Sequence, residues 1–456
     1  MTIPDDKPLT DDDNTLGTRL RRYGQVSATV AGLATKLAGQ KFLGRDIAQD
    51  VHADQLRQVL GSMKGPIMKV GQILATIPEA LPPAYAEAFQ ELQANAPPMG
   101  WPFVRRRMAT ELGPDWASAF TQFSQTANAA ASLGQVHRAT TKDGLDVACK
   151  LQYPDMAAAI TADLQQLKVL FALYERLDKA VRTQNIYAEL SARLMEEVDY
   201  GREARMTRLY GFMMQDRADI HVPEVVDDLS TGRLLTTTWL EGRKIMDYKS
   251  APQDVRDQLA VTLFHAWYIP FYRYGIIHGD PHMGNYTVQP DNTLNLFDFG
   301  CIRVFPERLV RGVILLYRAL QNDDRAAIVH AFETWGFTNL SVAHIDTLTL
   351  WAKFLYGPLL EDKVRTIGEA KGQVYGIETA QKVHQQLRDI GGLNIPREFV
   401  FMDRAALGLG SVFIHLQSQV NWYQLFNILI ADFDGNTLAD NQQKALAQFG
   451  LNKTAE

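Results

Sequence analysis

Cysteine is nearly missing: the 456 residues hold two, Cys149 and Cys301. Two thiols so far apart in sequence exclude a disulfide framework and a cysteine-rich zinc site, and they suit a reducing compartment. An excess of one charge is missing too. The 46 Lys and Arg stand against 52 Asp and Glu, for a net charge of −6, which gives no basis for nucleic acid as a partner. No uninterrupted apolar run reaches the length of a membrane span. The nearest, LAVTLFHAWYIPFYRYGII (Leu259 to Ile277), is broken by His265, Pro270 and Arg273 and reads as a buried helix. The opening MTIPDDKPLTDDDN is acidic and polar, whereas a secretory signal starts basic and turns apolar, and a transit peptide avoids acids. A cytoplasmic protein is the expectation.

What is there can fill a large core: 46% of the residues are apolar, and the length suits two or three domains or one large enzyme with an added layer. Residues 1–14 read as a disordered tail. Leu16, Leu20, Tyr23, Val26, Val30, Leu33 and Leu37 then recur at helical spacing, with Arg19, Arg21, Arg22 and Lys36 in the same helix. The plainer reading is a docking helix with solvated arginines; the sharper one is a helix that meets anionic lipid heads. Further helices to residue 94 are broken at Pro78 and at Pro82-Pro83, and NAPPMGWP (Asn95 to Pro102) reads as a linker or hinge.

From about Phe120 the pattern turns to strand. VHRATTKDGLDVACKLQY carries two alternating runs around Asp143-Gly144, a tight-hairpin signal. Residues 156–216 return to helix. HVPEVVDDL and GRLLTTTWLEG read as two strands, the second ending at Gly242. A long helix leads to HGDPHMGN, and YTVQPDNTLNLFDFG reads as a hairpin turning at Asp291-Asn292. Residues 306–450 read as mainly helical. A small sheet lobe beside a larger helical lobe fits this order.

HGDPHMGN and DFG carry the chemistry. Phosphoryl transfer requires an aspartate at the attacking hydroxyl and hard oxygen ligands for magnesium. Asp280 and Asn285 stand five apart, and Asp298 lies 18 beyond Asp280 across the hairpin, the spacing of a kinase catalytic loop and metal aspartate. His278 and His282, at i and i+4, could instead be two helical zinc ligands, but Gly279, Pro281 and Gly284 oppose a helix there. The histidines then serve to hold the loop backbone. DVACKLQYP supplies Lys150 at the end of an apolar run, in the manner of the strand lysine that meets the nucleotide phosphates; a plain surface lysine is the alternative.

The glycine-rich loop is the last absence. No G-x-G-x-x-G precedes Lys150. ANAAASLGQVHRA stands there instead, with Ala129, Ala130 and Ala131 where glycines would let backbone N–H groups approach phosphate. Alanine disfavours positive φ, so this segment is expected to be stiffer and shaped differently.

Together these residues resemble the UbiB/ADCK family of atypical kinase-like proteins, also called the AarF family, in which an alanine-rich loop replaces the glycine-rich one. AAASLGQVHRA matches that loop. KVGQ (Lys69 to Gln72) matches the K-x-G-Q motif of an N-terminal helical extension, Glu197-Val198-Asp199 matches an E-x-D motif, and HGDPHMGN and LFDFG match the catalytic loop and metal motif. The resemblance runs from residue 50 to 305, with more in ALGLGSVFIHL (Ala406 to Leu416). One departure from familiar protein kinases is that no A-P-E follows DFG, so little room remains for a peptide-docking segment.

The resemblance implies an α+β, two-lobed protein-kinase-like fold: helical extension 15–100, N-lobe 101–242 with inserted helices, and helical C-lobe 243–450. It implies ATP and Mg2+ as cofactors. Lys150 would contact phosphates and pair with Glu203, and Asp280 would be the catalytic aspartate. Asn285 and Asp298 would bind the metal, Ala129, Ala130, Ala131 and Ser132 would shape the nucleotide loop, and Thr238, Trp239 and Leu240 would meet adenine as the hinge. Lys69, Gln72, Glu197 and Asp199 would form a gate over the cleft, a latch that speaks against phosphorylating other proteins.

The implied function is ATP binding and hydrolysis coupled to isoprenoid-lipid handling in ubiquinone biosynthesis, with ADP favoured by the alanine loop. The implied partners are an isoprenoid lipid, a membrane surface and ubiquinone-biosynthesis proteins, so a peripheral seat at the inner face of the membrane is the variant of the cytoplasmic expectation. The alternatives are a small-molecule phosphotransferase of the aminoglycoside or choline kinase type, and a nucleotide-switched, non-catalytic scaffold.

Overall fold

The computed structural model describes residues 99–131, 133–177, 184–368, 377–390, 393, 396 and 399–451. The expected tail at 1–14, the amphipathic helix from Leu16 to Leu37, the rest of the helical extension to residue 98, Lys69 and Gln72 of the gate, and Ser132 lie outside the described residues.

The first described helix, α1 (Trp101–Leu112), begins inside the stretch expected to be a linker. Pro102 sits in its first turn, where a missing N–H leaves no helical bond unmade. The helix sets Val104 and Met108 against an antiparallel sheet. That sheet runs β1 (Phe120–Phe123), β3 (Gly134–Thr141), β4 (Asp146–Gln152), β6 (Leu234–Thr238), with β2 (Ala129–Ala131) also on β3. The β3–β4 hairpin turns at Asp143-Gly144, with Gly144 at φ 87°, a value that suits glycine. Along β4, Val147, Cys149 and Leu151 are fully buried against α1. Side chains alternate along a strand, so Lys150 faces the opposite side. Burial pushes the Cys149 thiol up to about 12, and it acts as a small apolar residue.

The two strands expected between residues 221 and 242 are shorter than their patterns. HVPEVVDDL contributes only the end of β5 (Ile220–His221), a single bridge from Val225 to Thr237, and a 3-10 turn at Asp227–Leu229. Pro223 has no N–H to give a ladder. β6 ends at Thr238 rather than Gly242.

Helices α2 (Met156–Leu177), α3 (Gln184–Glu196) and α4 (Tyr200–Met214) join the sheet to the larger helical body. Its central helix is α5 (Gln253–Tyr274), the apolar stretch expected to be buried. Pro270 lies inside it and cannot donate to the Ala266 carbonyl. The Tyr210 hydroxyl from α4 donates to that carbonyl instead, at 3.0 Å, so the proline is accommodated by a tertiary contact. Gly275, at φ 65°, stops the helix. The chain then enters β8 (Ile276–His278), which pairs antiparallel with β11 (Ile302–Val304).

A second small sheet has the order β5, β10 (Leu294–Leu296), β9 (Tyr286–Val288), β7 (Arg243–Lys244). Its β9–β10 hairpin turns at Asp291-Asn292, with Asn292 at φ 66°.

The rest is helical: α6 (Glu307–Gln321), α7 (Arg325–Thr334), α8 (Val342–Tyr356), α9 (Ile377–Asp389), α10 (Phe399–Leu416), α11 (Trp422–Ile430) and α12 (Gly435–Gln448). Aromatic contacts bind α11 to α5, with Phe264–Trp422 and Tyr272–Phe426 ring centroids 6.1 and 5.7 Å apart, and to α6 and α10, with Tyr317–Phe426 and Phe413–Trp422 4.7 and 4.6 Å apart. Gln442 of α12 donates to the Tyr274 and Phe305 carbonyls at 2.7 and 2.9 Å, which ties the last helix to the entry of β8. Among the described residues no helix is long and apolar enough to cross a membrane.

Candidate nucleotide site

Lys150 leaves the uncovered face of β4 and donates to Glu203 Oε1 at 2.6 Å and to Asp298 Oδ1 at 3.2 Å. Three distant segments therefore meet at one ammonium. Glu203 sits in the first turn of α4, whose N-cap Asp199 accepts from the Arg202 N–H at 2.9 Å. Glu203 is 4% exposed. Burial works against the Lys150 ammonium, but Asp298 and then Glu203 overrule it and hold the lysine well above its usual range. Burial also lifts Glu203 to about 7, with Lys150 pulling it back only in part. Two carboxylates share one cation, and of the three groups Glu203 and Lys150 are the ones shielded from solvent.

Residues given no role from the sequence shape this cluster. The Tyr200 ring lies 5.2 Å from Lys150 Nζ, a cation–π contact. A Cβ on Gly134 would come within 2.3 Å of the Leu151 carbonyl oxygen and 2.8 Å of the Tyr200 hydroxyl. Glycine there lets β3 close on both. Arg202 donates to the carbonyls of Gly300 and Ile302 at 3.3 and 3.5 Å, so α4 holds the segment after Asp298. Tyr200 and Arg202 flank Glu203 closely in sequence, and only that proximity could have pointed to them.

The HGDPHMGN loop is built by its histidines. His278 Nδ1 accepts from the Asp280 N–H at 3.2 Å, and Nε2 meets the Phe297 carbonyl at 3.2 Å. Burial lowers the His278 pKa, so the ring is neutral, with Nε2–H donating and Nδ1 accepting. Both nitrogens are committed, which leaves none for zinc. His282 Nδ1 accepts from the Gly284 N–H at 3.1 Å. The Asn285 amide donates to the Asp280 carbonyl at 3.1 Å and to its Oδ2 at 3.4 Å. Asp298 adopts a left-handed φ of 60°. The next residue, Phe299, packs on Tyr210 with ring centroids 5.2 Å apart and on His278 at 5.7 Å. Asp280, Asn285 and Asp298 are thus gathered about His278 by one strand pair, one hairpin and one aromatic anchor, and Asp298 reaches Lys150.

Asn285 and Asp298 offer hard oxygen donors. Among the described residues no group of three or more His, Cys, Asp or Glu could hold a metal by itself. That donor set fits magnesium, which takes one or two protein ligands and completes its shell with water and phosphate oxygens.

The alanine segment is a strand, with Ala129 opposite Val136, Ala130 opposite Gln135 and Ala131 opposite Gly134. None of Ala129, Ala130 and Ala131 has positive φ. Gln135, fully buried, joins its side-chain amide to both main-chain groups of Met99 at 2.8 and 3.1 Å. At the expected hinge, the Thr238 and Trp239 N–H groups donate to the Glu224 and Asp146 carbonyls at 2.8 and 2.9 Å, and Leu240 follows. Arg138 stacks on Trp239, 4.8 Å from the ring centroid, and pairs with Asp146 and Glu241 at 2.7 and 2.6 Å.

Of the expected gate, Asp199 caps α4, and Glu197 lies in the turn before it, where the Gln152 side chain donates to the Val198 carbonyl at 2.8 Å. Just before it, Glu196 pairs with Arg193 at 2.5 Å, Arg303 at 3.3 Å and Arg202 at 3.4 Å. No sequence motif marked this acid among three arginines.

Residues 91–332 match the model of the ABC1 atypical kinase-like domain. The atypical kinase coq-8, mitochondrial, of Caenorhabditis elegans is 27% identical over 74% of this chain and 48% of its own length. The probable serine/threonine-protein kinase abkA of Dictyostelium discoideum is 31% identical over 56% of this chain and 48% of its own. The atypical kinase COQ8, mitochondrial, of Saccharomyces cerevisiae is 29% identical over 74% of this chain and 70% of its own. The matches to the first two relatives span about half their length. Among solved structures, the Rv3197–erythromycin complex from Mycobacterium tuberculosis is similar, with a TM-score of 0.57, 27% identity, and coverage of 87% of this chain and 98% of that one. The fold is thus kinase-like, a sheet lobe on a helical lobe.

Proposed function

Since the chain belongs to the ABC1 atypical kinase-like family, we propose that it binds ATP with magnesium and hydrolyses it, in service of isoprenoid-lipid chemistry in ubiquinone biosynthesis. The observation that carries this reading is Lys150 held between Glu203 and Asp298 beside the Asp280–Asn285 loop.

Lys150 receives the nucleotide phosphates while Glu203 fixes its direction. With the ammonium on phosphate oxygens, Asp298 would be free to hold magnesium together with Asn285. Magnesium, when bound, supplies neutralisation of the charge on the phosphates. Asp280 orients the attacking water and accepts its proton, and His278 holds that aspartate's backbone. Thr238, Trp239 and Leu240 meet the adenine edge. Ala129, Ala130, Ala131 and Ser132 cover the phosphates with a stiffer segment than a glycine loop, which favours ADP over ATP. Lys69, Gln72, Glu197 and Asp199 form the gate. The link to ubiquinone biosynthesis rests on the COQ8 relatives, and the protein works in the cytoplasm with a peripheral seat on the membrane surface.

A second reading, a nucleotide-held scaffold, is favoured by the alanine strand, which is paired along β3 rather than open to phosphate. Magnesium-dependent hydrolysis by the purified protein, with and without anionic liposomes, separates the two. Turnover that rises with liposomes and vanishes in Asp298→Asn supports the ATPase. Nucleotide binding without turnover supports the scaffold.

A further inference from the structure

Behind the HGDPHMGN loop lies a cavity of about 130 Å³. Three helices each give it one stripe of side chains. From α5 come Phe264, Tyr268, Phe271 and Tyr272; from α8, Leu348, Trp351, Ala352 and Leu355; from α10, Ala406, Gly410 and Phe413. Each set follows helical spacing, so each helix turns a whole face to the space.

The walls are mainly apolar, and three of their polar side chains are engaged elsewhere. The Tyr356 hydroxyl donates to the Val313 carbonyl at 3.1 Å. The indole N–H groups of Trp335 and Trp422 donate to the carbonyls of Leu309 and Arg365 at 3.0 and 3.1 Å. A water needs two to four polar partners, and a dry cavity of ~150 Å³ lined by apolar side chains accepts benzene or xenon. The size and wall chemistry here match one ring with a short alkyl chain. They are too small for a nucleotide and too apolar for a sugar.

Two contacts join this cavity to the loop in front of it. Ile277 lines the cavity and is followed directly by His278, which holds Asp280. On α10 the wall residues Ala406 and Gly410 flank Gly408, which turns the other way and packs on the loop. A Cβ at Gly408 would lie 2.0 Å from Pro281 Cγ. One helix therefore carries the cavity on one face and the loop on the other.

We propose that this cavity is a binding site for a small apolar molecule bearing a single ring, and that its occupancy is felt in the backbone of residues 277–285. The second half rests on the proposed role of that loop; the first half does not. The test uses the full chain with n-butylbenzene as probe, read by thermal melting and by amide hydrogen exchange, neither of which needs nucleotide turnover. The expected result is a rise in Tm with probe and slower exchange across 277–285. Ala352→Leu, which fills the cavity, removes both effects while keeping the parent's circular dichroism. Leu348→Ala, which enlarges it, keeps them. No Tm rise in either the parent or Leu348→Ala overturns the site, as does a rise that persists in Ala352→Leu. A Tm rise with unchanged exchange across 277–285 overturns the connection. Loss of the ATPase reading alone would leave the Tm rise intact.

Discussion

Two cations on neighbouring strands each sit between two carboxylates. Lys150 on β4 reaches Glu203 and Asp298 at 2.6 and 3.2 Å. Arg138 on β3 reaches Asp146 and Glu241 at 2.7 and 2.6 Å. By distance alone the two clusters are alike. They differ in burial: the Glu203 side chain is 4% exposed and the Glu241 side chain 68%. At the rim, water solvates each charge whether or not it is paired, so the pair adds little. In the cleft, each charge depends on the others, and burial, only partly offset by Lys150, moves Glu203 to about 7. The same pairing is thus an ornament in one dielectric and a working part in the other.

The comparison can be broken from its buried end. Lys150→Met keeps the stem and removes the charge, and nucleotide turnover is expected to fall by about 100-fold or more, the scale for losing a charge-stabilising donor. Turnover near the parent's would reduce Lys150 to the standing of Arg138.

A smaller effect is expected where the cleft is held from behind. Gly408→Ala pushes a methyl into Pro281 and should cost about 1–3 kcal/mol in stability, measured by urea unfolding, with a drop in turnover because the loop moves. Full stability would show that α10 can yield at that contact.

A third titratable group tests burial without a direct ion pair. Burial, helped by Arg217 and opposed by Asp219, lowers His265 from 6.5 to about 4. The folded value lies below the unfolded one, so the neutral ring stabilises the fold above pH 6.5, and that contribution is lost as pH falls towards 4. A loss of roughly 2 kcal/mol is expected over that window. His265→Gln should flatten this part of the melting profile, and an unchanged slope would remove His265 as its source.

The smallest effect belongs to Arg138→Ala. It should leave the Tm unchanged within error at both low and high salt, because exposed pairs are weak and screened. A clear salt-dependent loss would show the rim cluster to be more than solvated charge.

Much of the site was legible because its chemistry demands particular residue types at fixed spacing. Asp280, Asn285 and Asp298 lie within 19 consecutive residues joined by one short hairpin, so local sequence nearly fixes their relation. Lys150 was legible through the alternation of Val147, Cys149 and Leu151, which turns it away from the core. The hairpins at Asp143-Gly144 and Asp291-Asn292 were equally plain, since positive φ restricts the residues that can stand there. HVPEVVDDL misled because an apolar alternation says nothing about which edge is open to pair, and Pro223 removed a donor. Trp101 and Pro102 misled because proline opens a helix as readily as it breaks one.

Sequence by itself determined most of the elements, the motif order and the residue types at the candidate site, since these follow from backbone preference and side-chain chemistry over short spans. Tertiary structure alone decided the rest. It brought Glu203 and Asp298 to one ammonium from opposite ends of a stretch of more than ninety residues. It gave Tyr210 the carbonyl that Pro270 cannot bond, and it turned faces of three helices into an apolar cavity behind the loop. Burial and long-range contact depend on how distant segments pack, and no local pattern records which faces will meet.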